Sequence, residues 1–169
     1  MLPTQPPLRL PAIALIAVTA FFAFVVHAAS ARAADPVSLQ VAQRINALRV
    51  QHGLRALTLD HRLAAAGRFQ SSAMMASRNL SHAANGNSGR NRLTRLCLRM
   101  HAKTVGETIG WIRYRSASRQ AAAIVRWWMR SPPHRAALMS PTFSRIGVGR
   151  RAGRVGRMHV VWFSADMAG

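Results

Sequence analysis

The sequence predicts an α+β domain with helices packed on an antiparallel sheet. Two patterns point there. Apolar residues recur at helical spacing through most of the chain, and the chain closes with two strand-like segments, Ile146–Gly149 and Met158–Ser164. Size agrees: 169 residues, half of them hydrophobic, are enough for one domain with a real core and exclude a disordered chain.

The elements follow in order. Asp35 is an N-cap signal, Pro36 suits a first helical turn and Gly53 suits an end, with Val41, Ile45 and Leu48 on one face. Leu54 to Leu59 reads as a loop leading to a second N-cap, Asp60. The helix from His61 to about Asn79 is rich in small residues that permit close packing. Ala83 to Gly89 is turn and loop by composition. Leu93, Leu96, Cys97 and Met100 mark an amphipathic helix, and Val105 to Ile112 a short strand. Ser116 or Ser118 caps a helix carrying Ala121, Ile124, Val125, Trp128 and Met129, which places Trp128 in the core.

Ser131-Pro132-Pro133 stops that helix, because prolines lack the backbone donor and disfavour helical geometry in the residue before them. His134 lies just beyond this stop. Arg150 to Arg157, with glycine and alanine breaks among arginines, reads as a hairpin loop. Cys97 has no partner for an internal disulfide and falls on an apolar stripe, as a small buried hydrophobe would.

Charge narrows the partners. Lys+Arg number 24 against 4 Asp+Glu, a formal net charge of +20, and Glu107 is the sole glutamate. Such a chain associates with anionic surfaces, more weakly as salt rises. No zinc-finger spacing, arginine-glycine repeat or aromatic RNA-binding signature is present, so specific nucleic-acid recognition is not expected. Residues 1–33 read as a signal peptide: Arg9 in the positive end, Ala12 to Val26 as the apolar run, and Ala31-Arg32-Ala33 as the cleavage site. Cleavage leaves a single domain, 34–169, with no transmembrane segment; a retained anchor is the alternative. Either way the domain works outside the cytoplasm, secreted, periplasmic or at the cell surface.

Seven segments together resemble the CAP superfamily, the SCP-like domain of cysteine-rich secretory proteins, antigen 5 and pathogenesis-related 1 proteins, in its compact bacterial branch. They are Asn46-Ala47-Leu48-Arg49 with His52-Gly53-Leu54, Leu57 to Leu63, Ser81-His82, Arg92-Leu93, Gly106-Glu107-Thr108-Ile109, Trp128 to Arg135, and Ile146 to Gly149. The resemblance covers about residues 37–166 and implies a three-layer α-β-α sandwich with a small antiparallel sheet flanked by helices. Two departures stand out. Thr108 occupies a position where the family carries asparagine. Ser131 stands where the eukaryotic branch has a second glutamate, which leaves His82, Glu107 and His134 as the polar set.

The resemblance implies that these three meet in one cleft. Two imidazoles and a carboxylate can hold Zn2+ or another divalent cation with a position open for water. The same residues can instead form a metal-free hydrogen-bonded cluster, or a His/Glu acid–base pair with Ser131 as nucleophile. His52, His61, His101 and His159 lack partners at ligand spacing. The expected function is a monomeric, non-enzymatic extracellular binding module for a lipid or anionic cell-envelope polymer. The alternatives are a metal- or acid/base-dependent, protease-like hydrolase built on the His-Glu-His cleft, and a cationic membrane-active protein acting through charge.

Overall fold

The structure is a computed structural model that describes residues 35–84, 86 and 89–169. The signal-peptide expectation for residues 1–33 lies outside them. Asp35 caps the first helix, α1 (Pro36–Gln51), by accepting from the Ser38 backbone N–H at 2.8 Å. Gly53, at φ 72°, takes the left-handed turn after it. A two-residue strand, β1 (Thr58–Leu59), precedes α2 (His61–Ser77), which Asp60 caps. Next come α3 (Gly89–Met100), β2 (Val105–Ile112) and α4 (Ala117–Arg130), then α5 (Pro132–Leu138), β3 (Arg145–Val155) and β4 (Met158–Ala168). The sheet order is β1-β3-β4-β2.

The strand period of two divides the interior. Val161, Phe163, Ala165 and Met167 of β4 join the core against α1, α4 and α5. Val160, Trp162 and Ala168 belong to the clusters on the other face, with Leu63 and Met74 of α2 and Leu96 and Met100 of α3. This is the three-layer α-β-α arrangement. Ser164 and Asp166 share the second face by the same alternation, and both are fully buried.

Glycine sets how closely α2 approaches the sheet. A Cβ on Gly147 would stand 2.0 Å from the Ala64 nitrogen, and one on Gly149 would stand 1.9 Å from the Arg68 nitrogen. The helix backbone therefore lies directly on the β3 backbone, and Ser71 Oγ donates to the Gly149 carbonyl at 3.0 Å. The Ile-Gly-Val-Gly segment is a packing surface as well as a strand. Across the sheet, Trp128 is fully buried and its indole N–H donates to the Ile109 carbonyl at 2.9 Å, whereas Trp127 is 41% exposed.

Four expectations need correction. Leu54 to Leu59 ends in a strand, because Thr58 and Asp60 N–H groups donate to the Ser144 and Ile146 carbonyls; β1 runs parallel to β3, so the sheet is mixed. Arg150 to Arg157 is mostly strand: β3 continues to Val155, and only Gly156-Arg157 turns. Gly156 at φ 60° supplies the positive dihedral that a two-residue hairpin turn requires. Pairing with β4 overrides the glycine and arginine composition there. The prolines after Ser131 also start a helix, since the first turn of α5 needs no donors from Pro132 and Pro133. Finally, Cys97 is half-buried, and its thiol donates to the Ala102 carbonyl at 2.8 Å.

Trp128→Ala removes both ring and hydrogen bond and should lower unfolding free energy by about 3–5 kcal/mol. Trp127→Ala should cost under about 1 kcal/mol. Denaturant melts of the two variants compare them directly, and equal losses would contradict this placement.

Candidate functional site

The site grows from one register. In the antiparallel pair β2–β4, Glu107 stands directly opposite Asp166, and Ile109 opposite Ser164. Two carboxylates facing each other on a buried face repel, and a cation between them offsets that repulsion. That cation is Arg92, itself only 7% exposed, from the face of α3 turned to the sheet. Its Nη2 donates to Glu107 Oε1 and, at 2.7 Å, to Asp166 Oδ1. Ser164 Oγ donates to Glu107 Oε1 at 2.9 Å, and His82 Nδ1 donates to Glu107 Oε2 at 2.6 Å. Both oxygens of Glu107 are thereby engaged within the protein.

His82 lies in the turn that follows α2. Gln70 Nε2 holds that turn by donating to the Ser81 carbonyl at 2.7 Å, and Ser81 Oγ accepts from the Ala83 N–H at 3.0 Å. The imidazole side chain is half exposed while its Glu107 partner is fully buried. A carboxylate at Nδ1 fixes the ring and its tautomer and leaves Nε2 free for a proton or a ligand.

His134 is the third residue of α5, and its ring centroid lies 5.1 Å from that of Trp127. Its Nδ1 is buried without a hydrogen-bond partner. Burial pushes its pKa below the ordinary histidine value, and repulsion from His82 pushes it the same way. His82 and Glu107 are thus in direct contact, and His134 is near enough to feel the charge on His82. Ser131 joins α4 to α5 with an extended backbone, and its carbonyl accepts from the Arg135 N–H at 2.9 Å. Its hydroxyl has no hydrogen bond to either imidazole among the described residues.

Among the described residues no group of three or more His, Cys, Asp or Glu side chains is disposed to hold a metal ion. Glu107 is committed to Arg92, Ser164 and His82, which makes it an orienting group for His82. Thr108 is fully buried and its Oγ1 has no partner.

Sequence reasoning missed Ser164 and Asp166 and gave Arg92 no chemical role. A signal existed. The alternation of β4 continues past Ser164, and Asp166 is one of only 4 acidic residues. Asp166 is wholly buried, and its pKa is raised from 3.8 to about 7: desolvation and Glu107 raise it, against the opposing pull of Arg92. One guanidinium thus serves two carboxylates whose side chains are both buried.

Two titrations test the site. By NMR, His134 should titrate below the ordinary value of about 6.5, and His82→Gln should raise its midpoint part of the way back, because burial remains. A depressed histidine pKa means that native stability is lost as pH falls through about 6.5, where the unfolded chain binds the extra proton. For Asp166 the sign reverses. Its raised folded pKa makes its contribution fade as pH climbs from 3.8 to about 7. The stability of Asp166→Asn relative to the native protein should therefore increase across that window. A pH-independent difference would contradict the assignment.

Comparison with known proteins agrees with the fold. An outer surface protein from Borrelia burgdorferi matches with TM-score 0.62 at 18% identity, over 78% of this chain and 91% of that one. An extracellular protein containing a SCP domain from Bacillus anthracis matches with TM-score 0.62 at 22% identity, over 78% of this chain and 40% of that one. A cysteine-rich secretory protein from Staphylococcus aureus matches with TM-score 0.52 at 19% identity, over 78% of this chain and 38% of that one. No curated protein matches in sequence. The sequence model of the cysteine-rich secretory protein family, CAP, matches residues 42–165. With that match spanning most of the chain, and its motif residues building both the α2–β3 contact and the Arg92–Glu107–His82 cluster, the protein belongs to the CAP family.

Proposed function

We propose that the protein is an extracytoplasmic, non-enzymatic binding module for a lipid or an anionic envelope ligand. One observation carries this reading: all 4 acidic side chains are engaged internally, against 24 Lys+Arg. Asp35 caps α1 and pairs with Arg150 at 2.6 Å; Asp60 caps α2 and lies 3.8 Å from Arg145; Glu107 and Asp166 share Arg92. The solvent face therefore carries cations with almost no compensating carboxylates. The N-terminal leader pattern supports an extracytoplasmic setting, as do the extracellular and outer-surface descriptions of two similar structures. No helix among the described residues is long and apolar enough to cross a membrane.

The fixed His82–Glu107 pair favours a second reading, an acid–base hydrolase in which His82 Nε2 moves a proton and Glu107 stabilises the imidazolium. A zinc-class ion, where one binds, is held in this reading by His82 and His134, with Glu107 orienting His82.

Co-sedimentation of residues 34–169 with anionic and neutral vesicles, and with an anionic polymer, separates these readings. Binding to the anionic partners should weaken as salt rises but retain a salt-resistant fraction, and Glu107→Gln should leave it intact. Binding abolished by salt would assign the protein to charge-driven membrane activity. Hydrolysis of an envelope substrate that disappears in Glu107→Gln would establish the hydrolase.

A further inference from the structure

A groove of about 770 Å³ opens between α2 and α3, and neither His82 nor His134 lines it. Arg62, Ala65, Ala66 and Phe69 form the α2 wall, spaced along one helical face. The two alanines leave the space, and Phe69 is 61% exposed at one end. On α3, Leu96 and Met100 complete an aliphatic floor while Arg95 and Arg99 stand exposed at the rim. No ion pair among the described residues engages Arg62, Arg95 or Arg99. Arg92 reaches the same groove, and its buried Nε–H has no partner.

The arrangement of charge selects the ligand. The cations occupy both walls and extend along α3, with an apolar floor between them. A lipid with one headgroup would satisfy one end and leave the other arginines unpaired. A phosphodiester strand would match the charges but gain little from an aliphatic floor with a single aromatic, since nucleotide binding relies on aromatic platforms. An extended acidic peptide satisfies both features. Its side chains at i and i+2 lie about 6.6–6.8 Å apart on one face, close to the rise of about 6 Å between Arg95 and Arg99. The intervening side chains point the other way, to the floor. Arginine pairs with carboxylates in bidentate geometry. We infer that the α2–α3 groove is a binding site for an extended acidic peptide with apolar residues between its carboxylates. The inference rests on the anionic-ligand reading above and gives it a location and a ligand class.

Fluorescence anisotropy with a labelled peptide alternating Glu and Leu tests it. Ala65→Trp fills the groove at an exposed helical position without changing charge, and should weaken binding tenfold or more with an unchanged melting temperature. The double variant Arg95→Gln/Arg99→Gln should weaken binding at least tenfold more than Arg119→Gln/Arg126→Gln, an equal loss of charge at exposed positions of α4. An all-Glu peptide of the same charge should bind more weakly than the alternating one. Equal losses in the two double variants, or full affinity in Ala65→Trp, overturn the groove assignment while leaving binding to anionic polymers in place. Displacement of the peptide by an alkyl phosphate at lower concentration than by unlabelled peptide overturns the peptide and reassigns the groove to a lipid. Absence of binding by the native domain to every anionic probe removes the broader reading as well.

Discussion

The structure depends on Arg92 lying between Glu107 and Asp166. Register places these carboxylates opposite each other on a buried face, and without the guanidinium at least one would lack a counter-charge. Removing one partner of a buried pair costs on the order of 3–5 kcal/mol, because the remaining charge cannot return to water. Arg92 also ties α3 to the sheet, together with a small apolar cluster of Leu63, Leu96, Met100 and Ala168 and a hydrogen bond from Arg145 of β3 to the Met100 carbonyl. A buried ion pair of this kind is a device for position more than for net stability. What it positions is Glu107, and through Glu107 the His82 ring.

The same economy governs the other acidic groups. Asp35 and Asp60 each cap a helix and each face an arginine. Some arginines are equally internal: Arg49 is almost wholly buried and donates to the carbonyls of Arg55, Leu138 and Ser140. Next to it, Asn46 exchanges two 2.8 Å hydrogen bonds with the Leu57 backbone. The N-x-x-R motif of α1 is thus a clasp for the loop before β1 and for the end of α5. Formal charge alone does not distinguish such arginines from those free to meet a ligand, and burial does.

The two faces of the sheet serve different ends. The face under α1, α4 and α5 is apolar apart from a few anchored groups such as the Trp128 N–H. The face under α2 and α3 holds the polar cluster, and its geometry depends on the backbone contact at Gly147 and Gly149. Because α2 cannot move away from β3 without losing that contact, the turn carrying His82 begins from a fixed point.

Much was legible in the sequence because it was local. N-caps at Asp35 and Asp60, the helical stripe of α4, the inward Trp128 and the strand at β2 are each decided by neighbours within a few residues. The motif order identified the family and pointed to His82, Glu107 and His134. Asp166, Ser164 and the function of Arg92 were not assigned, because their meaning lies in β2–β4 register and in the docking of α3, both contacts between residues distant in sequence. The extension of β3 through an arginine-glycine stretch was hidden for the same reason: the ladder with β4 outweighs local propensity. The sequence by itself determined the four long helices, the strand β2 and the closing pair of strands, and its motif order pointed to the layers and the candidate imidazoles. Tertiary structure alone decided that Glu107 faces a buried arginine, because only a folded sheet with α3 docked on it can place two carboxylates opposite each other and bring a cation between them.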